Sequence, residues 1–225
     1  MIIARDLYRI YTMGKVKVNA LNGVSVEIKK GEFIGVIGPS GSGKSTLLHL
    51  LGLLDRPTSG EIEIDGINTR TLSEDQRSDF RLKRLGYVFQ EYALVPELTV
   101  FENVILPFMA REEPPDRSRD QVMETLEIIG LGERVTHLQS ELSGGEQQRV
   151  AIARAIAGKP SILFADEPCA NLDTENSRVI LDLLAEINKE MGQTIVMVSH
   201  EDWHREYFER IIQLRDGKRV NADRT

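Results

Sequence analysis

Apolar and polar residues change rhythm several times along the chain. Over residues 2–10 and again over 24–28 they alternate closely enough to predict strands of a partly exposed sheet. Residues 33–37 form a short unbroken apolar run closed by glycine, which predicts a buried strand. A glycine-rich turn over 38–43 follows, and the apolar stretch 46–54 predicts a helix that begins inside that turn. Residues 62–64 followed by Asp65-Gly66 predict a strand entering a hairpin turn.

From 91 to 158 the rhythm becomes helical, with apolar residues recurring at Val122, Leu126 and Ile129. Within it, 111–119 carries Pro114, Pro115 and many charges, and predicts an exposed loop. Strand-like patterns then return. A buried strand is expected over 162–165 and another, rich in β-branched residues, over 194–198. Between them lies an amphipathic helix over 177–189, with Val179, Ile180, Leu183, Leu184 and Ile187 on one side. Residues 211–214 and 218–220 flank Asp216-Gly217 as a closing hairpin. Strand–helix–strand order with fully apolar strands points to a mainly parallel α/β core. One domain is expected, with a core built from 1–89 and 158–225 and a helical insertion over 90–157.

Composition narrows the classes. The 225 residues are 41% hydrophobic and 28% charged, ordinary for a folded domain, and the formal net charge of −7 argues against a nucleic-acid binder. A single cysteine, Cys169, excludes an internal disulfide and favours a reducing cytosol. No apolar run approaches the ~20 residues needed to cross a bilayer, so service at a membrane would require docking on a spanning partner.

The turn itself carries chemistry. Gly38, Pro39, Ser40, Gly41, Ser42, Gly43, Lys44, Ser45 and Thr46 fit G-x-x-x-x-G-K-[ST]. Its glycines let backbone N–H groups converge on phosphate oxygens, and the following helix adds unpaired N–H groups and a positive dipole end. Lys44 can reach the β and γ phosphates of ATP, and the Ser45 hydroxyl can hold Mg²⁺. A second feature lies at the end of strand 162–165, where Asp166 and Glu167 place two carboxylates together. At the C-terminal edge of a parallel sheet, Asp166 is positioned to hold Mg²⁺ through water and Glu167 to polarise an attacking water. The third is Leu142-Ser143-Gly144-Gly145-Glu146-Gln147-Gln148-Arg149, a capped helix start with two glycines, followed by a helix over 147–157.

Together these motifs resemble the nucleotide-binding subunits of ATP-binding cassette (ABC) transporters over nearly the whole chain. The resemblance implies a P-loop NTPase fold, with a RecA-like mainly parallel core, an antiparallel β subdomain and an inserted helical subdomain. It extends to Gln90 after Tyr87-Val88-Phe89, similar to the glutamine loop, which would touch Mg²⁺ and the attacking water. It also covers Asn171-Leu172-Asp173, similar to the loop that crosses between subunits; His200, similar to the switch histidine; and Tyr11, placed where the family stacks an aromatic ring on adenine. It further implies a head-to-tail dimer in which Ser143, Gly144 and Gly145 of one copy close on the ATP held by Lys44 of the other. An integral membrane permease would be the remaining partner, with the chain peripheral on the cytoplasmic face. The phrases around Gly38, Gln90 and Gly145 are most similar to the ATPases of macrolide exporters and lipoprotein-releasing complexes. A transport ATPase of export, release or mechanotransmission type and a non-transport regulatory ATPase of the same family both fit.

Several residues invite other readings. Cys169 stands where relatives usually carry threonine; it is a small packed residue or, if exposed with a depressed pKa, a redox switch. His200-Glu201-Asp202-Trp203-His204 matches H-E-x-x-H, but His200 follows a strand, the wrong geometry for a zinc protease. His49 and His137 read as ordinary surface or half-buried residues. Trp203 and Tyr207 should pack a short helix. Tyr92, Leu94, Val95, Leu98 and Phe101 serve either the core of the helical insertion or a groove for a membrane subunit. The acidic stretch 61–79 reads as a solvated face.

Overall fold

A computed structural model describes residues 2–14 and 16–220. Ten strands form two sheets. The first is four-stranded and antiparallel, in the order β2 (Val16–Ile28), β1 (Ile2–Met13), β4 (Ser59–Ile64), β5 (Ile67–Asn68). The second is six-stranded, in the order β10 (Lys218–Val220), β9 (Arg210–Arg215), β3 (Phe33–Ile37), β8 (Thr194–Ser199), β7 (Ile162–Asp166), β6 (Leu85–Val88). Pairing is parallel from β9 through β6, and only the terminal β9–β10 hairpin is antiparallel. This is a P-loop NTPase architecture.

The unbroken apolar runs have a two-sided explanation. In β8, Ile195 and Met197 join the core shared with the helices, whereas Val196 and Val198 join the core beneath the antiparallel sheet. Successive side chains of a strand point to opposite faces, so a strand covered on both sides has no polar position to spare. The first core holds α3 (Val100–Ala110), α4 (Pro115–Ile128), α5 (Gly144–Ile156) and α6 (Thr174–Met191) against the sheet through Phe108, Val122, Leu126, Val150 and Ile180. The second packs α1 (Lys44–Leu51) between the sheets through Leu47, Leu48 and Leu51.

Some elements depart from the sequence reading. β2 starts at Val16, well before the expected 24: Val16-Lys17-Val18-Asn19-Ala20 alternates but stays largely exposed, held by pairing with β1 rather than by burial. Helix α1 ends at Leu51, three residues early, with Gly52 as its cap. The Tyr87 hydroxyl donates to the Leu48 carbonyl there at 3.1 Å, in a space that only glycine leaves open. The expected loop over 111–119 is mostly helix: Pro115 opens α4 at the first turn, where its missing N–H costs nothing. Arg111 is drawn inward, donating to the carbonyls of Leu82 and Gly158. Val179 lies on the solvent side of α6, 44% exposed, and Leu181 takes a core position instead. The stretch expected to be a solvated face contains β4, β5 and the start of α2 (Glu74–Arg84), a helix announced by the Ser73–Gln76 capping box.

Gly35 illustrates how closely β3 is covered. A β-carbon there would lie 2.2 Å from the Phe208 ring, which packs edge-on against Phe33. Gly35→Ala is therefore expected to destabilise the fold by about 1–3 kcal/mol, as overpacked cores do. Urea denaturation followed by circular dichroism checks this, and an unchanged midpoint would contradict the packing described.

Candidate active site

The phosphate-type loop is pinned between two sheets. A β-carbon on Gly38 would sit 2.2 Å from the Leu214 carbonyl oxygen of β9, and one on Gly43 would sit 2.4 Å from the Ala20 carbonyl oxygen of β2. Gly43 also has φ of 99°, a left-handed value that glycine adopts freely. As the residue capping α1 it offers no side-chain acceptor, so the first N–H groups of that helix are left for another anion. Lys44 is only 6% exposed, yet among the described residues its ammonium makes a single hydrogen bond, to the Pro39 carbonyl at 3.2 Å. The buried Ser42 hydroxyl has no partner among the described residues. A buried cation and a buried hydroxyl with unused hydrogen-bonding capacity, beside open helical N–H groups, fit an anionic ligand. Ser40 and Gly41 form the exposed crest of the loop, and Thr46 is half-buried one residue beyond Ser45.

The carboxylates converge on this loop. Ser45 Oγ donates to Asp166 Oδ1 at 2.9 Å, although the two are 121 residues apart in sequence. A hydroxyl and a carboxylate oxygen side by side next to a phosphate cradle suit Mg²⁺, a hard cation that completes its shell with substrate phosphate and water. Accordingly, no cluster of three or more His, Cys, Asp or Glu side chains able to hold a metal occurs among the described residues. Sequence reading missed His49, whose Nε2 lies 3.4 Å from Asp166 Oδ2. Only its place one turn of helix beyond Ser45 could have signalled this.

Glu167 leaves the end of β7 with φ of 47°, unusual for a residue with a β-carbon and an expenditure of about 1–3 kcal/mol typical of functional sites. Its amide donates to the Val198 carbonyl at 3.2 Å, which ties the strained turn to β8. Its carboxylate accepts from His200 Nδ1 at 3.0 Å, and His200 Nε2 lies 3.3 Å from Glu201 Oε1. Gln90 is exposed just after β6, and its carbonyl accepts from Asn171 Nδ2 at 3.0 Å.

Other expected residues stand apart. Tyr11 donates to Asp55 Oδ2 at 2.9 Å, and the Arg9 guanidinium lies 4.4 Å over its ring. Ser143 caps α5 in a reciprocal box: Glu146 Oε2 accepts from the Ser143 amide and hydroxyl, each at 2.8 Å. Those bonds, with Arg134 nearby, hold the Glu146 carboxyl below its usual range. Gly145 abuts α6, where a β-carbon would meet Asn176 Oδ1 at 2.8 Å. Asp173 caps α6 by accepting from the Asn176 amide at 2.8 Å, which lowers its pKa. Among the described residues, no hydrogen bond or ion pair joins Ser143, Gly144, Gly145 or Asp173 to the loop holding Lys44.

Residues 202–207 form a 3₁₀ turn, so His200 and His204 do not share one face of an α-helix and the zinc-protease geometry is missing.

Comparison with known proteins gives the family. The family model described as ABC transporter matches residues 21–170. The chain belongs to the ABC transporter family. An ABC transporter ATP-binding protein of Methanocaldococcus jannaschii, itself uncharacterized, is 46% identical over 98% of both chains. The lipoprotein-releasing system ATP-binding protein LolD of Aquifex aeolicus is 48% identical over 89% of each. The macrolide export ATP-binding/permease protein MacB of Chlorobium luteolum is 49% identical over 97% of this chain, which spans only 33% of that relative's length. Among solved structures, a dimeric post-hydrolysis state of the ATP-binding cassette MJ0796 bound to ADP and Pi superposes with a TM-score of 0.90, at 41% identity over 98% and 97% of the two chains. This ABC protein is thus an ATPase, the class to which its motifs pointed.

Cys169 closes off one reading. It is 7% exposed, and burial pushes its thiol up to about 12, with the Ser177 carbonyl 3.8 Å away as a weak acceptor. A protonated, enclosed thiol is a poor nucleophile. The native ABC protein is expected to resist a disulfide reagent such as dithionitrobenzoate at neutral pH and to react fully once unfolded; rapid native labelling would reopen the redox reading.

Proposed function

We propose that this chain is the motor subunit of a membrane transport or mechanotransmission complex, hydrolysing ATP between two copies of itself. The observation that carries the proposal is the buried Lys44 ammonium with a single hydrogen bond, set beside the Ser45–Asp166 pair at the sheet edge. That arrangement suits the triphosphate of ATP, with Gly38 to Thr46 wrapping its phosphates and Tyr11 offering a ring for the base. Bound Mg²⁺ would supply charge neutralisation at the β and γ phosphates, held by Ser45, by Asp166 and by Gln90.

The chain's own groups divide the remaining work. Glu167 polarises the attacking water, since in-line phosphoryl transfer needs an oriented nucleophile more than covalent help. His200, in contact with Glu167 through Nδ1, positions that carboxylate and is the group that would hydrogen-bond the γ-phosphate. Ser143, Gly144, Gly145 and Asp173 lie outside this cluster at two helix starts whose caps, Ser143 and Asp173, are exposed, which suits their acting on the ATP of a second copy. The dimeric state of the similar cassette bound to ADP and Pi supports this reading. Similarity to lipoprotein-releasing and macrolide-export ATPases favours an export, release or mechanotransmission partner, an integral membrane permease at the cytoplasmic face.

Two experiments test the assignment. Glu167→Gln should retain ATP binding, lose at least ~100-fold in hydrolysis and accumulate as an ATP-loaded dimer on size exclusion, in line with removal of a group needed only in the transition state. Normal turnover would take Glu167 out of its role. Mixing Lys44→Ala subunits with Ser143→Arg subunits should restore activity through the one intact interface of each heterodimer. Absence of recovery in demonstrably mixed dimers would contradict shared sites.

A further inference from the structure

One histidine of the H-E-x-x-H stretch has no part in the reading above. His204 is 3% exposed, an ionisable side chain buried behind the Glu167–His200 pair. Its Nδ1 lies 2.7 Å from Ser199 Oγ. The same hydroxyl accepts from the Glu201 amide at 3.1 Å, and the His204 amide donates back to the Glu201 carbonyl at 3.3 Å. His200 therefore sits on a turn whose two flanking residues are both bonded to His204. Ser199 Oγ accepts from the Glu201 amide and shares one proton with Nδ1, while Nε2 is buried without a partner among the described residues, so the Ser199 bond is the ring's polar anchor. The Trp203 ring lies 4.3 Å from the imidazole, centroid to centroid, at 85°, and holds its plane.

A cavity of about 140 Å³ lies next to this turn, lined by Glu167, Cys169, Met197, His200, Trp203 and His204 among others. On that side the turn is not backed by packed side chains, and the buried Ser199–His204 bond is what ties it down. Burial, joined by the nearby His200 and opposed by Glu201, also keeps His204 below its ordinary pKa, which favours the neutral ring.

We propose that His204 is a positioning residue for ATP hydrolysis, fixing through Ser199 the turn that presents His200 to Glu167. This rests on the reading of Glu167 and His200 as the hydrolytic pair. His204→Leu keeps bulk and removes the bond, whereas His204→Asn places an amide where Nδ1 stood. Steady-state ATPase assays on the full chain should show kcat lowered about 10-fold or more in His204→Leu, as misplacement of a reacting group does. KM for ATP should stay within about twofold. His204→Asn should recover most of the loss. In a His200→Ala background, measured by single turnover, His204→Leu should add no further loss, because the two act through one group. Ser199→Ala, compared in the same two backgrounds, carries the same test should His204→Leu fail to fold.

Unchanged kcat in folded His204→Leu, failure of His204→Asn to recover activity while binding ATP normally, or losses that multiply with His200→Ala would each overturn the inference. Undiminished turnover in His200→Ala alone would instead remove the reading on which it stands.

Discussion

The lateral pairing of three parallel strands, β3, β8 and β7, governs the placement of every group at this site. Ile37 pairs with Ser199, and Val198 with Asp166, so Gly38, His200 and Glu167 leave the sheet almost level with one another. All three strands are buried on both faces, and a slip of one residue would exchange the two hydrophobic cores. The register is therefore held by the whole interior. The chemistry at its edge inherits that precision, and local bonds such as Ser45–Asp166 and Glu167–His200 refine it.

Charge at the edge is arranged in opposition. Helix α1 directs uncapped N–H groups and the Lys44 ammonium toward the space above the sheet, and β7 delivers two carboxylates beside them. Part of the cost is met within the chain. Asp166 takes the Ser45 hydroxyl, and Glu167 takes His200 while accepting a left-handed backbone. The helix start at Ser143 differs, since the Ser143 amide donates to the Glu146 carboxylate and the Glu146 amide to Ser143 Oγ. The two glycine-bearing helix starts are thus unequal: α1 lacks a side-chain cap and α5 carries a reciprocal one.

Much of this was legible from the residues. The runs at Phe33–Ile37 and Ile162–Asp166 betrayed two-sided burial, and the phosphate-loop spacing located the helix start that follows β3. What escaped notice lay where local pattern and tertiary context disagree. Helix α2 carries few apolar residues, so charge masked it while its cap at Ser73 went unused. Pro115 looked like a loop residue because proline at a helix's first position resembles proline in a turn until the helix is seen. Ser199 gave no signal, His49 only its place one turn beyond Ser45, and His204 a misleading zinc-protease pattern, since their contacts come from strands and helices meeting in space.

Tyr92 couples both ends of one helix. Its carbonyl, with that of Ala93, is gripped by Arg154 near the end of α5, while its hydroxyl would stand only 3.1 Å from a methyl group at Gly144, where α5 begins. The segment just beyond Gln90 therefore reaches both ends of α5, hydrogen-bonded at Arg154 and in close approach at Gly144, so a displacement of that segment is felt along the helix and not at one end alone.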